Sequence, residues 1–208
     1  MTRVKVCGIM DLQDLECALS AGSDAVGFVV EIKGSRHSIS IEDARKLVLR
    51  VPIFVKSVAV IAPQTVGMAE SLARGTGADI IQIHGSLEPE NIALLKNQIS
   101  QKLIVAVNPE AQDVYKLDSI ADAILLDTLD DGKLGGTGRT HDWNISSELV
   151  ERLKLPVILA GGLNPHNVVK AIRKVNPYAV DVSSGVETDG RKDPEKVNFF
   201  IKEVKNCH

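Results

Sequence analysis

Short runs of β-branched and aliphatic residues, bounded by Gly, Asp or Pro, recur along this chain about every two to three dozen residues. Segments with apolar positions at helical spacing lie between them. The runs read Val4 to Val6, Ala25 to Val30, Phe54 to Val60, Ile80 to His84, Leu103 to Val107, Ala123 to Asp127, Val157 to Ala160 and Ala179 to Ser183, which predicts eight strands. Several are apolar at almost every position, as in Ile124-Leu125-Leu126 and Val157-Ile158-Leu159-Ala160, and strands of that kind are covered on both faces in a parallel sheet. Asp11 caps a predicted helix that runs to about Ala21. Ile41 to Arg50 is predicted helical, with Glu42 and Asp43 in the first turn, where the helix dipole favours acid. The same spacing predicts helices at Thr65 to Arg74, Glu90 to Gln98, Glu110 to Leu117, Ser147 to Leu153, Pro165 to Val175 and Pro194 to Lys205.

Eight strand-helix repeats in 208 residues predict an α/β chain folded as a single-domain (β/α)8 TIM barrel over residues 1–208. The competitor is a doubly wound open sheet. That fold usually carries fewer strands and a Gly-rich fingerprint in its first βα turn, and none follows Cys7. Thr128 to Asp142 is a long stretch rich in Gly and Asp, of the size that often serves as a lid.

Composition narrows the function. With 44% hydrophobic and 25% charged residues the chain can bury a full core, and with only 3% aromatic residues that core is aliphatic. A net charge of −3 without a concentrated basic window argues against a nucleic-acid partner. No apolar stretch reaches bilayer length and the start Met1 to Val6 lacks a signal-peptide core, so no membrane association and a cytoplasmic location are expected. Cys7, Cys17 and Cys207 fit neither a disulfide framework nor a zinc motif, and reduced thiols are expected. His37, His141 and His166 lack metal-ligand spacing.

In a barrel of this kind reactive groups gather where the strands end. Cys7, His84, Asp127 and Asp181 occupy such positions. Cys7 in Lys5-Val6-Cys7-Gly8-Ile9 is either a thiol base or a small buried hydrophobe. Asp127 follows a fully apolar run. In a partly desolvated mouth its pKa would rise and make it a general acid near neutral pH; otherwise it is a cap or loop carboxylate. Lys5 either assists the thiol or points among polar partners in the barrel interior. Gly161, Gly162, Ser183, Ser184 and Gly185 follow the last two strands, where backbone N–H groups of this fold commonly hold phosphate. Each glycine pair alone also reads as a turn. Arg36 could grip a carboxylate in bidentate fashion or be a solvated loop residue. His84 is a base, a substrate hydrogen-bonder or a structural histidine. Together these positions suggest proton transfer on a phosphorylated small molecule.

Seven segments carry a resemblance: Lys5-Val6-Cys7-Gly8-Ile9, Asp24-Ala25-Val26-Gly27-Phe28, Gln82-Ile83-His84-Gly85, Leu126-Asp127, Gly135-Gly136-Thr137-Gly138 through Asp142-Trp143, Ala160-Gly161-Gly162-Leu163-Asn164-Pro165, and Asp181 through Glu187. In number and order they resemble the phosphoribosylanthranilate isomerase family of tryptophan biosynthesis, over essentially the whole chain. The resemblance implies an Amadori rearrangement without metal or organic cofactor. It implies Asp127 as the acid that opens the sugar ring and Cys7 as the base at C2. It also implies Arg36 on the anthranilate carboxylate, Asp181 near the sugar hydroxyls, and Gly161, Gly162, Ser184 and Gly185 on phosphate. The Gly135 to Gly138 segment would close over the anthranilate side. Two departures stand out. The loop after strand two reads Gly34-Ser35-Arg36-His37-Ser38-Ile39, where the family commonly has Ser, one residue, then Arg, and His141 stands where it usually has Phe.

Other readings compete. A ribulose-phosphate epimerase or an indole-glycerol-phosphate synthase would share the phosphate loops but not Cys7, and the epimerase would need metal-ligating His and Asp on several strands. A silent phosphate-ligand sensor would need neither thiol nor acid. The expected partner is a phosphorylated small molecule, and the chain is expected to be a monomer or a homodimer.

Overall fold

The computed structural model describes residues 1–85, 87–111, 114–128 and 140–207. The chain begins with β1 (Arg3–Cys7), α1 (Leu12–Ser20), β2 (Ala25–Val30), a two-residue β3 (Ser38–Ile39), α2 (Ile41–Val48) and β4 (Lys56–Ile61). Next come α3 (Val66–Thr76), β5 (Ile80–Ile83), α4 (Pro89–Gln98), β6 (Lys102–Val107), a 3₁₀ helix (Val114–Ser119) and β7 (Ala123–Leu126). The last third holds α5 (Trp143–Arg152), β8 (Val157–Leu159), α6 (Val168–Val175), β9 (Ala179–Val182), a 3₁₀ turn (Ser184–Val186), the hairpin β10 (Glu187–Thr188) and β11 (Arg191–Lys192), and α7 (Pro194–Lys205).

Strands β1, β2, β4, β5, β6, β7, β8 and β9 are joined side by side in that order, and β9 returns to β1, so the parallel sheet closes on itself. Closure leaves no barrel strand with an unpaired edge. The small β3 continues β2's edge beyond the end of β1, with Val29 beside Ser38.

The two-residue period of a strand sorts side chains between the faces. Val4 and Val6, Val26 and Phe28, Ala59 and Ile61, and Ile124 and Leu126 point outward into the main core beneath the helices. Inward-facing residues form two smaller clusters, one around Ile104, Leu125 and Ile158 and one around Cys7, Val29, Val58 and Val60. Burying each Val, Leu or Ile contributes roughly 1.5–3 kcal/mol, which is why the apolar runs must be strands with both faces covered.

The helices start where a side chain can take up their free N–H groups. Asp11, Ser40, Thr65, Asp142 and Asp193 each accept a backbone hydrogen bond within the first turn of α1, α2, α3, α5 and α7. α6 buries Val168, Ala171, Ile172 and Val175 at i, i+3, i+4 and i+7, and Asn176 ends it with φ of 50°.

The predicted elements occur in the predicted order, with informative shifts. Phe54 is not in a strand: Val55 N–H donates to Pro52 C=O in a turn, and β4 starts at Lys56. The expected helix at Glu110 to Leu117 is a 3₁₀ helix at Val114–Ser119. Its buried apolar residues Val114 and Leu117 stand three positions apart, the period of a 3₁₀ turn, so that winding presents them on one side. Helix α5 starts earlier than expected, at Trp143, because Asp142 caps it. Most of the Thr128 to Asp142 stretch, including Gly135 to Gly138, lies outside the described residues.

Candidate active site

β1 sends Lys5 and Cys7 to the barrel interior. Its register with β9 sets Lys5 beside Asp181, and Lys5 Nζ stands 3.0 Å from Asp181 Oδ1 with both side chains nearly buried. Its register with β2 sets Cys7 beside Gly27. A Cβ on Gly27 would lie 2.7 Å from Cys7 Sγ and 3.1 Å from Lys5 Nζ, so only glycine leaves room for both. Burial pushes the Cys7 thiol up from its ordinary range, and the neighbouring Lys5 ammonium opposes that rise. Burial alone would favour neutral Lys5, but the charges and hydrogen bonds of Asp181 and Cys7 together outweigh it and keep the ammonium above the usual lysine range.

Asp127 sits one residue beyond β7 and is still tied to the sheet, its N–H donating to Val107 C=O at 3.0 Å. Burial, reinforced by the Asp181 charge, raises its carboxyl to about 6. Gly161, with φ of 81°, packs against it. A Cβ there would stand 2.5 Å from Thr128 Oγ1 and 3.3 Å from Asp127 Oδ1. His84 likewise extends β5 by one bond, to Ile61 C=O at 2.8 Å. Burial and the Lys5 charge lower its pKa to about 4, so the imidazole is neutral near pH 7. His84 Nε2 and Gln82 Oε1, two residues apart on one inward face, are buried without hydrogen-bond partners among the described residues. Such atoms cost free energy unless a ligand or water meets them.

The loops after β8 and β9 pack together. A Cβ on Gly185 would fall 1.9 Å from Leu163 O, a backbone contact no side chain tolerates. Asn167 Nδ2 donates to Gly162 O at 2.9 Å, and Gly162 itself has φ of 61°. Gly161, Gly162, Ser184 and Gly185 therefore share one side of the barrel mouth.

Arg36 lies at the rim with its side chain 58% exposed, and its Nη2 donates to Glu187 Oε2 at 2.5 Å. Glu187 is buried and also meets His37 Nε2 at 2.9 Å and Lys192 Nζ at 2.6 Å. Burial favours its neutral form, but His37 and Lys192 outweigh it and hold its pKa near 2. Beside them Gly8, with φ of 79°, leaves space that Ser183 Oγ and the His37 ring fill.

The structure thus gathers Cys7, His84, Asp127 and Asp181 around the Lys5 ammonium, with Gly161 against Asp127 and Arg36 on the rim. Sequence reasoning quoted Gly27, Gln82 and Glu187 only within matching segments, without a role of their own, and passed over Lys192. Gln82 was within reach, since a residue two before His84 on a strand shares its face. Nothing local marks Glu187 or Lys192, because their partners come from distant loops. His141 bridges Thr128 Oγ1 at 3.3 Å and Ser146 Oγ at 2.6 Å, bonds that Phe could not make. Among the described residues, no three His, Cys, Asp or Glu side chains cluster as metal ligands do.

The family model described as N-(5'phosphoribosyl)anthranilate (PRA) isomerase matches residues 4–203. The chain belongs to that family. An N-(5'-phosphoribosyl)anthranilate isomerase from Methanothrix thermoacetophila is 54% identical over 207 residues, covering 100% of both chains. Among solved structures, monomers of the dimeric phosphoribosylanthranilate isomerase of Thermotoga maritima match with a TM-score of 0.82 at 35% identity, covering 99% of each chain. A phosphoribosyl anthranilate isomerase in complex with reduced 1-(o-carboxyphenylamino)-1-deoxyribulose 5-phosphate matches with the same TM-score, identity and coverage. Membership of this isomerase family puts a sugar-phosphate rearrangement ahead of the epimerase, synthase and sensor readings.

Proposed function

We propose that the chain catalyses the Amadori rearrangement of N-(5-phosphoribosyl)anthranilate to 1-(2-carboxyphenylamino)-1-deoxyribulose 5-phosphate, a step of L-tryptophan biosynthesis. One observation carries this reading beyond family membership. A carboxyl raised to about 6 and a thiol beside a buried ammonium face the same Lys5–Asp181 pair. Protonated Asp127 gives its proton to the furanose ring oxygen, and the ring opens to a Schiff base. The Cys7 thiolate then takes the C2 proton, leaving an enolamine that tautomerises to the ketone. Acid and base contributions of this kind are each worth about 10²–10⁴ in rate.

Backbone N–H groups of the Gly161, Gly162, Ser184 and Gly185 loops hold the phosphate. Arg36 takes the anthranilate carboxylate, which competes with Glu187 for the same guanidinium. The unpaired His84 Nε2 and the second carboxylate oxygen of Asp181 meet the sugar hydroxyls. Holding the substrate at both ends aligns its reacting carbons between acid and base. With purified protein, the fluorescence of phosphoribosylanthranilate should decay, and Cys7→Ala or Asp127→Asn should abolish that decay while binding of a reduced product analogue persists. Undiminished turnover in either variant would remove its residue from the mechanism. The related aminoimidazole carboxamide ribotide serves as the comparison substrate.

The chain also pairs with a second copy of itself, on our reading, through the turn before β4. Ile53 is 86% and Phe54 95% exposed there, with Leu49 exposed nearby. Apolar residues bared together in this way favour a protein partner. The turn lies at the opposite end of the barrel from Cys7, so pairing leaves the mouth open. Light scattering should give twice the chain mass, and Phe54→Asp should halve it without loss of turnover.

A further inference from the structure

Lys5 has no part in the acid-base scheme, yet it lies at the centre of the site. A buried ion pair in an apolar barrel costs desolvation that its own attraction seldom exceeds, so packed apolar residues would serve stability as well as Lys5 and Asp181 do. Position explains the pair better than strength. Lys5 and Cys7 are two residues apart on one strand and so share its inward face. The space above Gly27 is filled from both sides, by Cys7 Sγ at 2.7 Å and by Lys5 Nζ at 3.1 Å from where a Cβ would stand. The ammonium therefore has two neighbours, the Asp181 carboxylate at 3.0 Å and the thiol.

We propose that Lys5 is a positioning residue for the isomerisation: its ammonium, pinned by Asp181, seats the Cys7 sulfur and favours its thiolate. Asp181 faces the sulfur from β9 and Lys192 from β11, while β2 contributes only Gly27. Neutral His84 faces the same pair from β5, and His37 flanks Gly8. Burial and Asp181 oppose the thiolate; Lys5 and Lys192 support it, Lys5 the more strongly. The carboxylate holds the lysine in place and offsets only part of its field at the sulfur, because Lys5 acts on the thiol more strongly than Asp181 does. The inference rests on Cys7 being the base.

Cys7 can be titrated alone by its thiolate ultraviolet absorbance in a Cys17→Ser/Cys207→Ser background. Lys5→Met should move the midpoint up by about one unit or more, with kcat falling about tenfold and KM changing far less. A Lys5→Met midpoint that stays put or falls overturns the proposal. If Lys5→Met does not fold, Lys5→Gln titrated in the same background decides, and a midpoint unchanged or lowered there overturns it equally. Failure of the base assignment is seen separately, as turnover surviving in Cys7→Ala, and leaves the titration result standing.

Discussion

Cys7 and Gly27 face each other across the β1–β2 ladder, and the sulfur occupies the space that any side chain at 27 would claim. Gly27→Ala sets a methyl 2.7 Å from Sγ, so the thiol or the backbone must move. Overpacking of this kind costs about 1–3 kcal/mol. Denaturant unfolding should show that loss, and steady-state kinetics should show kcat lowered by about tenfold or more, because the proposed base is displaced from the C2 proton.

The pH dependence should be set by the two groups in an unusual order. Asp127 loses its proton near pH 6, whereas the buried thiol holds its proton beyond the ordinary range. Between those values the prevailing form has Asp127 ionised and Cys7 protonated. The reacting form differs only by one proton moved from sulfur to carboxylate, so its share is constant across that span. We expect kcat/KM to rise up to about pH 6, stay level, and fall when the thiol ionises. The acid limb then reports Asp127, the proposed acid, and not the proposed base. A profile that declines as pH passes upward through 6 would contradict this assignment.

Gly185 touches the backbone of the neighbouring loop, where a Cβ would fall 1.9 Å from Leu163 O. Gly185→Ala must therefore part the two loops assigned to phosphate. KM should rise about tenfold or more, and inhibition by inorganic phosphate should weaken in step. An unchanged phosphate inhibition constant would place the anion elsewhere.

Arg36 meets Glu187 at the rim, and the substrate carboxylate is expected on the same guanidinium. Arg36→Met should raise KM strongly, with little change in thermal stability because the arginine is largely exposed. Binding assays with anthranilate itself should register the same loss. Equal affinity in the variant would take Arg36 out of the site.

Glu187 links the rim to stability. Its pKa drops from the ordinary 4.5 to about 2 on folding, so the unfolded chain takes up a proton first as pH falls. Its contribution is complete above about 4.5 and is lost as pH falls through about 2. Glu187→Gln should be less stable than the parent at neutral pH, and the gap should narrow across that window in urea titrations.

Much of this architecture was legible in the sequence. The alternation of apolar runs and amphipathic segments located eight strands, since each pattern is a local consequence of strand or helix period. Strand ends pointed to Cys7, His84, Asp127 and Asp181. Phe54 was misplaced because its hydrophobicity looks the same in a strand as on a bared turn. The 3₁₀ helix at Val114–Ser119 was read as α because three-residue and four-residue spacings overlap over so short a run.

What the sequence determined by itself is therefore the order of elements, the strand ends that carry polar side chains and the glycines that turns require. Tertiary structure alone decided that Lys5 meets Asp181, 176 positions away, that Glu187 gathers Arg36, His37 and Lys192, and that Gly185 rests on Leu163. Periodicity is carried by neighbouring residues, whereas the register between distant strands is set when helix packing closes the sheet into a barrel, and the charge each buried group keeps depends on the partners that closure supplies.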